Sequence, residues 1–358
     1  MKKSLFATTA LVAAFGMGAT AAQAQDASFT VGGFSDFYAT WVDQDNPGTS
    51  AYTAGDGYHE SDYDFSTNTE LLFNGEITLD NGITAGMSVQ VEADNNDGNG
   101  ERDNIDENIV YLEGSFGRVE LGHEDGAHDT MKYGATSIKA VYPGGYNNTT
   151  GAFYNLSGNA APITVNFNDS GDSTKINYYT PRFAGFQLGV THAPDGNADA
   201  VFPSRDATET TDLWEGGANY VNSFGSFDLA ASLTGATKNV ANQGDTWGIT
   251  GGAVLGFAGF EFGGAYGFGE TDDEDTMAGD LGVAYSTGPW SISLTGYYAS
   301  QDLAGGGEDE RTEGQLGLNY ALGSGVNVYT TGVYGQLESE NVDDNDYTTL
   351  LAGVGVSF

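Results

Sequence analysis

From residue 28 onward the dominant pattern in the chain is period two, with apolar and polar side chains taking turns. Along 71–79, Leu71, Phe73, Ile77 and Leu79 share one parity with Gly75, while Asn74, Glu76 and Thr78 take the other. In an extended strand successive side chains point to opposite faces, so such a segment has one greasy face and one wet one. Ile83, Ala85, Met87, Val89 and Val91 alternate with Thr84, Gly86, Ser88, Gln90 and Glu92. Trp290, Ile292 and Leu294 alternate with Ser291, Ser293 and Thr295, and Leu316, Leu318 and Tyr320 oppose Glu313, Gln315 and Asn319. Near the end Leu350, Ala352, Val354, Val356 and Phe358 oppose Thr349, Gly353, Gly355 and Ser357. Segments of about ten residues with this pattern suit the strands of a transmembrane barrel. They also suit a soluble sandwich, so the connections must decide.

The connections alternate in length. Short turns are predicted at Asp80-Asn81-Gly82, Ser115-Phe116-Gly117, Arg182 to Gly185, Asn222 to Gly225, Gly256 to Gly259, Ser286 to Pro289 and Ala321 to Gly325. Each has a glycine able to take positive φ. Between them lie longer acidic stretches, roughly 43–64, 94–103, 123–174, 193–212, 238–245, 270–275, 301–311 and 338–346. Seven short and eight long links join sixteen strands, with Ile163 to Phe167 either part of the third loop or an extra short strand. Short links on one rim and long links on the other fit a membrane barrel, whereas a sandwich has no reason to segregate them. Aromatic rings at or just after the short turns (Phe116, Phe183, Phe186, Phe224, Phe227, Phe257, Phe260, Trp290) and farther along the strands fit two interfacial girdles. No segment after the N-terminal region offers the roughly 18 consecutive apolar residues of a spanning helix.

Composition narrows the partners. Fifty acidic residues against eleven Lys and Arg give a formal net charge of −39. A nucleic-acid partner is excluded on that balance, since phosphate binding needs clustered Lys and Arg. Twenty Tyr and twenty Phe argue against disorder. The absence of cysteine removes disulfides, thiolate metal sites and Cys nucleophiles. At the start, Lys2 and Lys3 precede an apolar stretch from Leu5 to Phe15 and an A-x-A-like site at Ala22-Gln23-Ala24. Residues 1–24 therefore read as a cleavable secretory signal, leaving 25–358 as a single barrel domain.

The signal, the first strand Val31-Gly32-Gly33-Phe34 with Tyr38, the hairpin Ser115-Phe116-Gly117-Arg118-Val119-Glu120-Leu121-Gly122 before the longest loop, and a last strand ending in Phe358 together resemble the general diffusion porins of the Gram-negative outer membrane, in their acidic alphaproteobacterial branch. The resemblance covers essentially the whole mature chain. It implies an all-β, sixteen-stranded antiparallel transmembrane barrel, a homotrimer, long extracellular loops and a third loop, here 123–174, folded into the lumen. It implies passive diffusion of small hydrophilic solutes, contact with outer-membrane lipids and lipopolysaccharide, and recognition of Phe358 by the assembly machinery. The Pro-Glu-Phe-Gly-Gly tip of enterobacterial relatives is absent, so the sequence does not locate the tip of the constriction.

By parity the strand acids fall on the wet side: Glu70, Glu76, Glu92, Glu107, Glu113, Glu120, Glu215, Asp228, Glu261, Asp280 and Glu313. Inward cations reduce to Arg118 and Lys175, and the third loop adds Glu124, Asp125, Asp129, Lys132 and Lys139. Such a lumen should prefer cations. The expected constriction and lining set is Glu124, Asp125, Asp129, Lys132, Lys139, Arg118, Glu120, Glu70, Glu76, Glu92 and Glu313. Dense loop carboxylates at Asp94, Asp97 and Glu101, at Asp272 and Asp273, and at Asp343 and Asp344 are candidate ligands for Ca²⁺ or Mg²⁺, with solvated loops as the alternative; no other cofactor is expected. His123 and His128 stand five apart, not the four of a zincin helix, and no G-x-S-x-G or phosphate-loop motif occurs, so an enzyme is not expected. Two alternatives to a general porin remain: a channel selective for a sugar or a cationic solute, and a secreted acidic soluble β-protein or adhesin.

Overall fold

The computed structural model describes residues 25–45, 63–93, 105–138, 165, 167, 169–196, 210–240, 244–271, 274–303, 306–340 and 344–358. These form sixteen strands: β1 Gln25–Gln44, β2 Tyr63–Thr78, β3 Thr84–Glu92, β4 Ile105–Gly114, β5 Gly117–His123, β6 Thr174–Tyr179, β7 Phe186–Asp195, β8 Thr211–Phe224, β9 Phe227–Val240, β10 Gly244–Phe257, β11 Phe260–Thr271, β12 Glu274–Thr287, β13 Trp290–Asp302, β14 Glu308–Gly323, β15 Val326–Ser339 and β16 Asn345–Ser357. Every strand pairs antiparallel with its sequence neighbours, and β1 pairs with β16 to close the barrel. Beyond the last ladder residue, Phe358 N donates to the Gly33 carbonyl at 3.0 Å and Gly33 N to the Phe358 carbonyl at 3.1 Å. Closure leaves no unpaired edge, a condition for placing a sheet in lipid.

The two faces of the wall are inverted relative to a soluble protein. Leu294 is 57% exposed on the outside, while its neighbours Ser293 and Thr295 are buried inside. Leu233, Phe262, Leu281 and Leu316 are likewise exposed, and Asp280, Glu313, Gln315 and Thr331 are buried. No described helix is long and apolar enough to cross a membrane; the apolar belt belongs to the strands. At the short-turn rim the belt ends in paired rings, stacked for Phe227–Phe257 and tilted for Phe260–Tyr285, each with centroids 4.4 Å apart, and edge-to-face for Trp290–Tyr320 at 4.5 Å. Toward the opposite rim stand Trp214 on His192 at 4.1 Å and Trp247 against Phe268 at 5.6 Å.

All seven short turns lie where turn chemistry predicts them. The β10–β11 turn illustrates the requirement: Ala258 and Gly259 sit at φ 52° and 85°, the left-handed pair that a tight hairpin needs. On the other rim seven of the eight predicted loops are too long; the exception is 94–103, where β3 ends at Glu92 and β4 starts at Ile105. Asp302, Gln301, Ser300 and Ala299 pair with Glu308, Asp309, Glu310 and Arg311, so the ladder continues through residues that read as loop. There both faces are polar, and alternation disappears while backbone pairing persists. Strands consequently hold more than half of the chain's acids. Val165 and Phe167 belong to no strand; they pack inside the barrel with Ala265, Ala278, Tyr297 and Ala299.

Candidate channel constriction

The link between β5 and β6 turns into the lumen. After Glu124 and Asp125 the chain makes one helical turn, α1 (Ala127–Thr130), and a 3-10 turn at Ala135–Ser137. Its backbone is carried across the wall by side chains of successive strands. Ala127 N donates to Thr191 Oγ1 on β7 at 2.8 Å, and His128 N to Glu215 Oε2 on β8 at 2.7 Å. His128 Nδ1 lies 2.9 Å from Thr234 Oγ1 on β9, Tyr133 N donates to Ser232 Oγ at 2.8 Å, and Ala135 N to Asp280 Oδ1 on β12 at 2.8 Å. The returning limb uses the same wall: Thr250 Oγ1 donates to the Val165 carbonyl, and Lys238 Nζ to the Asp169 carbonyl at 3.3 Å. Ser170 N donates to Glu215 Oε1 at 2.6 Å.

This contact demands small inward residues. A Cβ on Gly252 would stand 1.9 Å from the Tyr133 carbonyl, and one on Gly263 would stand 2.6 Å from the Gly134 carbonyl. The described residues of the loop thus pack on the β7–β13 side. On its short-turn side lies a cavity of about 920 Å³ walled by Glu76, Glu113, Arg118, Glu120, Glu124 and Tyr179, among others.

The charges along the opening are uneven. Arg118 on β5 is held between Glu120 (Nε to Oε1, 2.6 Å) and Glu113 (Nη1 to Oε2, 3.1 Å), with its guanidinium 3.8 Å from the Tyr111 ring centre. Lys132 pairs with Asp129. Lys175 donates to the Gly171 carbonyl, and Arg182 to the Gly185 carbonyl and to Gln187. All six described Lys and Arg residues are engaged by the chain itself. Carboxylates, by contrast, crowd together: those of Glu70, Glu92 and Asp106 on β2, β3 and β4 lie within 4.8 Å of one another. In the loop, burial and the charges of Asp129 and Asp172 push Asp125 up to about 7, against the pull of Lys132. Burial, then Glu120, raises Glu124, and burial, then Asp106, raises Asp172. Burial lowers His128 to about 4.

Of the residues expected at the constriction, Glu124, Asp125, Asp129 and Lys132 stand on the inserted loop, and Arg118 and Glu120 face it from β5. Glu70, Glu76 and Glu92 line the inner face of β2 and β3. Glu313 stands apart on β14, buried, accepting from Arg311 Nη2 at 2.8 Å and from the Tyr347 hydroxyl at 2.7 Å. Lys139 lies outside the described residues, as do Asp94, Asp97, Glu101, Asp272, Asp273 and Asp343; Asp344 accepts from Ser339 N at 3.3 Å. Sequence reading missed Arg311 and Lys238, which parity would have placed inward had the ends of β14 and β9 not been counted as loop. It also missed the seating role of Glu215, Asp280 and His128, for which the only sequence signal is Gly and Ala at wet-face positions of β7–β12.

Residues 7–342 of the chain match the family described as Gram-negative porin. Outer membrane porin protein 32 of Delftia acidovorans is 30% identical over 209 residues, which is 56% of this chain and 53% of that one. The chain thus spans about half the length of that curated relative, and 26% of an uncharacterised protein of Rickettsia conorii, 29% identical over 112 residues. Among solved structures, an anion-selective porin from Comamonas acidovorans superposes with a TM-score of 0.64 at 21% identity, over 93% of this chain and 100% of that one. The trimer form of OmpT, an outer membrane protein of Vibrio cholerae, gives 0.64 at 12% identity over the same shares. At those identities the likeness is one of fold. The family match runs through nearly all of the barrel, from β1 into β16's approach, and the chain belongs to the Gram-negative porin family of the outer membrane.

Proposed function

We propose that the chain forms an open aqueous channel for passive diffusion of small hydrophilic solutes and ions across the outer membrane, with a preference for cations. On this reading it is a channel and not an enzyme, it assembles as a homotrimer, and residues 1–24 are the export signal removed from it. The observation that carries the cation preference is the balance of charge on the wall of the opening: Glu76, Glu113, Glu120 and Glu124 line its cavity against Arg118 and Arg182, and Arg118 is itself matched by both Glu113 and Glu120. Fixed negative charge in a narrow, low-dielectric passage concentrates cations and repels anions. The selectivity of the Comamonas porin does not transfer at 21% identity, because selectivity lives in wall charges and not in the barrel.

A second reading, a channel with a saturable site for a cationic solute, draws on the cavity beside Glu76, Glu113, Glu120 and Tyr179. Planar-bilayer recording decides among these. A salt gradient should give a reversal potential of cation-selective sign, with linear solute flux for the general porin and saturable current noise for the selective one. A potential of zero or of anion-selective sign overturns the preference.

A further inference from the structure

We infer that Glu215 is the latch of the constriction loop, one buried carboxylate that clamps both limbs and so sets the width and charge placement of the opening. This inference rests on the channel reading above. Glu215 is 4% exposed, on the inner face of β8. Its Oε2 accepts from His128 N at 2.7 Å on the outgoing limb, and its Oε1 accepts from Ser170 N at 2.6 Å on the returning limb. The two donors are forty-two residues apart in sequence, so one side chain ties together two limbs that are distant along the chain.

The surroundings are fitted to it. A Cβ on Gly126 would lie 2.0 Å from Glu215 Oε2, so the loop backbone comes down on the carboxylate itself. Asn177 Nδ2 holds the Asp125 carbonyl at 3.0 Å from the β6 side, and Thr191 Oγ1 bridges from Asn177 Oδ1 at 2.7 Å to Ala127 N. Charge-assisted hydrogen bonds of this kind are shorter and stronger than neutral ones, and the low local dielectric strengthens them further. Removing the carboxylate leaves two buried N–H groups without their acceptor and frees both limbs to lift toward water. Because Glu124, Asp125 and Asp129 ride on the outgoing limb, lifting it moves the acidic rim away from Glu120 and Arg118. The barrel ladder does not depend on Glu215, so latch and wall are separable. Glu215 acts through the loop and is a positioning residue.

The cysteine-free chain permits a direct test. A Cβ on Gly217 would stand 3.1 Å from Met131 Cβ and 2.9 Å from the Ala127 carbonyl, so a disulfide, whose Cβ atoms stand roughly 3.5–4.5 Å apart, forms once the loop gives by a few tenths of an ångström. Met131→Cys with Gly217→Cys therefore supplies a removable tether beside the latch. Four proteins are compared in planar bilayers: wild type, Glu215→Ala, the double cysteine variant, and the double cysteine variant carrying Glu215→Ala. Because Gly217 is part of the loop seat, the oxidised double variant with Glu215 intact, and not wild type, is the reference for the tethered Glu215→Ala protein. Glu215→Ala should raise unit conductance by about 1.5-fold or more, broaden its distribution and shrink the reversal potential, since the pore widens where its fixed charge is densest. Oxidation of the tethered Glu215→Ala protein should bring both values to those of the oxidised double variant with Glu215 intact, and reduction should abolish the rescue. Unchanged conductance in Glu215→Ala, or a change that oxidation does not reverse, overturns the latch. If Glu215→Ala yields no SDS-resistant barrel, Glu215→Gln is read instead: its amide oxygen satisfies one limb, so an intermediate conductance supports the latch and a wild-type value overturns it. The sign of the wild-type potential, measured alongside, reports separately on cation preference.

Discussion

Asp125 shows how a single side chain can make selectivity depend on pH. Its carboxyl is held up to about 7 by burial and by Asp129 and Asp172, so near neutral pH its charge is only partly present. Lowering the pH from 8 to 6 protonates it and removes negative charge from the rim. The reversal potential in a fixed KCl gradient should therefore fall toward zero over that range, and Asp125→Asn should flatten the response and start from the lower value. His128 works in the opposite sense and on a different observable. Burial lowers its value from 6.5 to about 4, with Asp169 and Asp129 opposing and Lys132 adding to the shift. The docked loop thus holds fewer protons than a lifted one between those two values. Docking is at full strength above about 6.5 and weakens as the pH falls toward 4, by at most about 3 kcal/mol. Open-channel noise should rise across that interval, and His128→Gln, which keeps a polar group facing Thr234, should abolish the rise.

The elements divide cleanly into wall and insert, and substitutions should respect the division. Leu281 is 74% exposed on the outer face of β12, and Asp280 beside it is buried on the inner face. Leu281→Arg places a charge in the apolar belt and should cost about 2–4 kcal/mol if it lies near the bilayer midplane, read as a lower urea midpoint for unfolding from lipid vesicles. Gly263→Val should spare that midpoint and raise conductance, because the three atoms nearest a first Cβ there, the Gly134 carbonyl oxygen at 2.6 Å, Ile138 Cγ2 at 2.8 Å and Ala135 Cα at 3.0 Å, all belong to the insert, and the insert can yield where the ladder cannot. The same division explains what the sequence made legible. Leu71 to Leu79 or Trp290 to Leu294 announce strands, since each faces lipid on one side and water on the other, and the turn glycines mark the rim between them. Where β14 rises past the belt, Glu308 to Arg311 are polar on both faces, and parity has nothing to report. The loop seat was hidden for a related reason. Gly217, Gly252 and Gly263 read as neutral members of a wet face, and only the close approach of another backbone shows why they lack side chains. Glu215 and Asp280 read as lumenal charges, whereas in the fold each is consumed by backbone donors of the loop.

For the whole molecule the question is how far the net charge of −39 acts on a passing ion. Acids such as Asp36, Glu70, Glu76, Glu92 and Glu113 line the passage at different heights, while Asp309 and Glu310 stand near its outer end. Their fields overlap only while the screening length exceeds their spacing. That length is about 10 Å at 0.1 M salt and about 3 Å at 1 M. At the lower concentration an ion feels the summed wall, and at the higher one only the groups it passes closely, chiefly Glu120, Glu124 and Asp125 at the constriction. Cation preference, measured as the reversal potential across a constant concentration ratio, should thus decline steadily as mean salt rises through that range without changing sign. In Asp125→Asn with Glu124→Gln, the low-salt preference should survive and the high-salt remainder should shrink to the share that Glu120 supplies. A preference that is independent of salt, and abolished at every concentration by those two substitutions, would assign selectivity to the constriction alone and leave the charge along the rest of the barrel without a part in it.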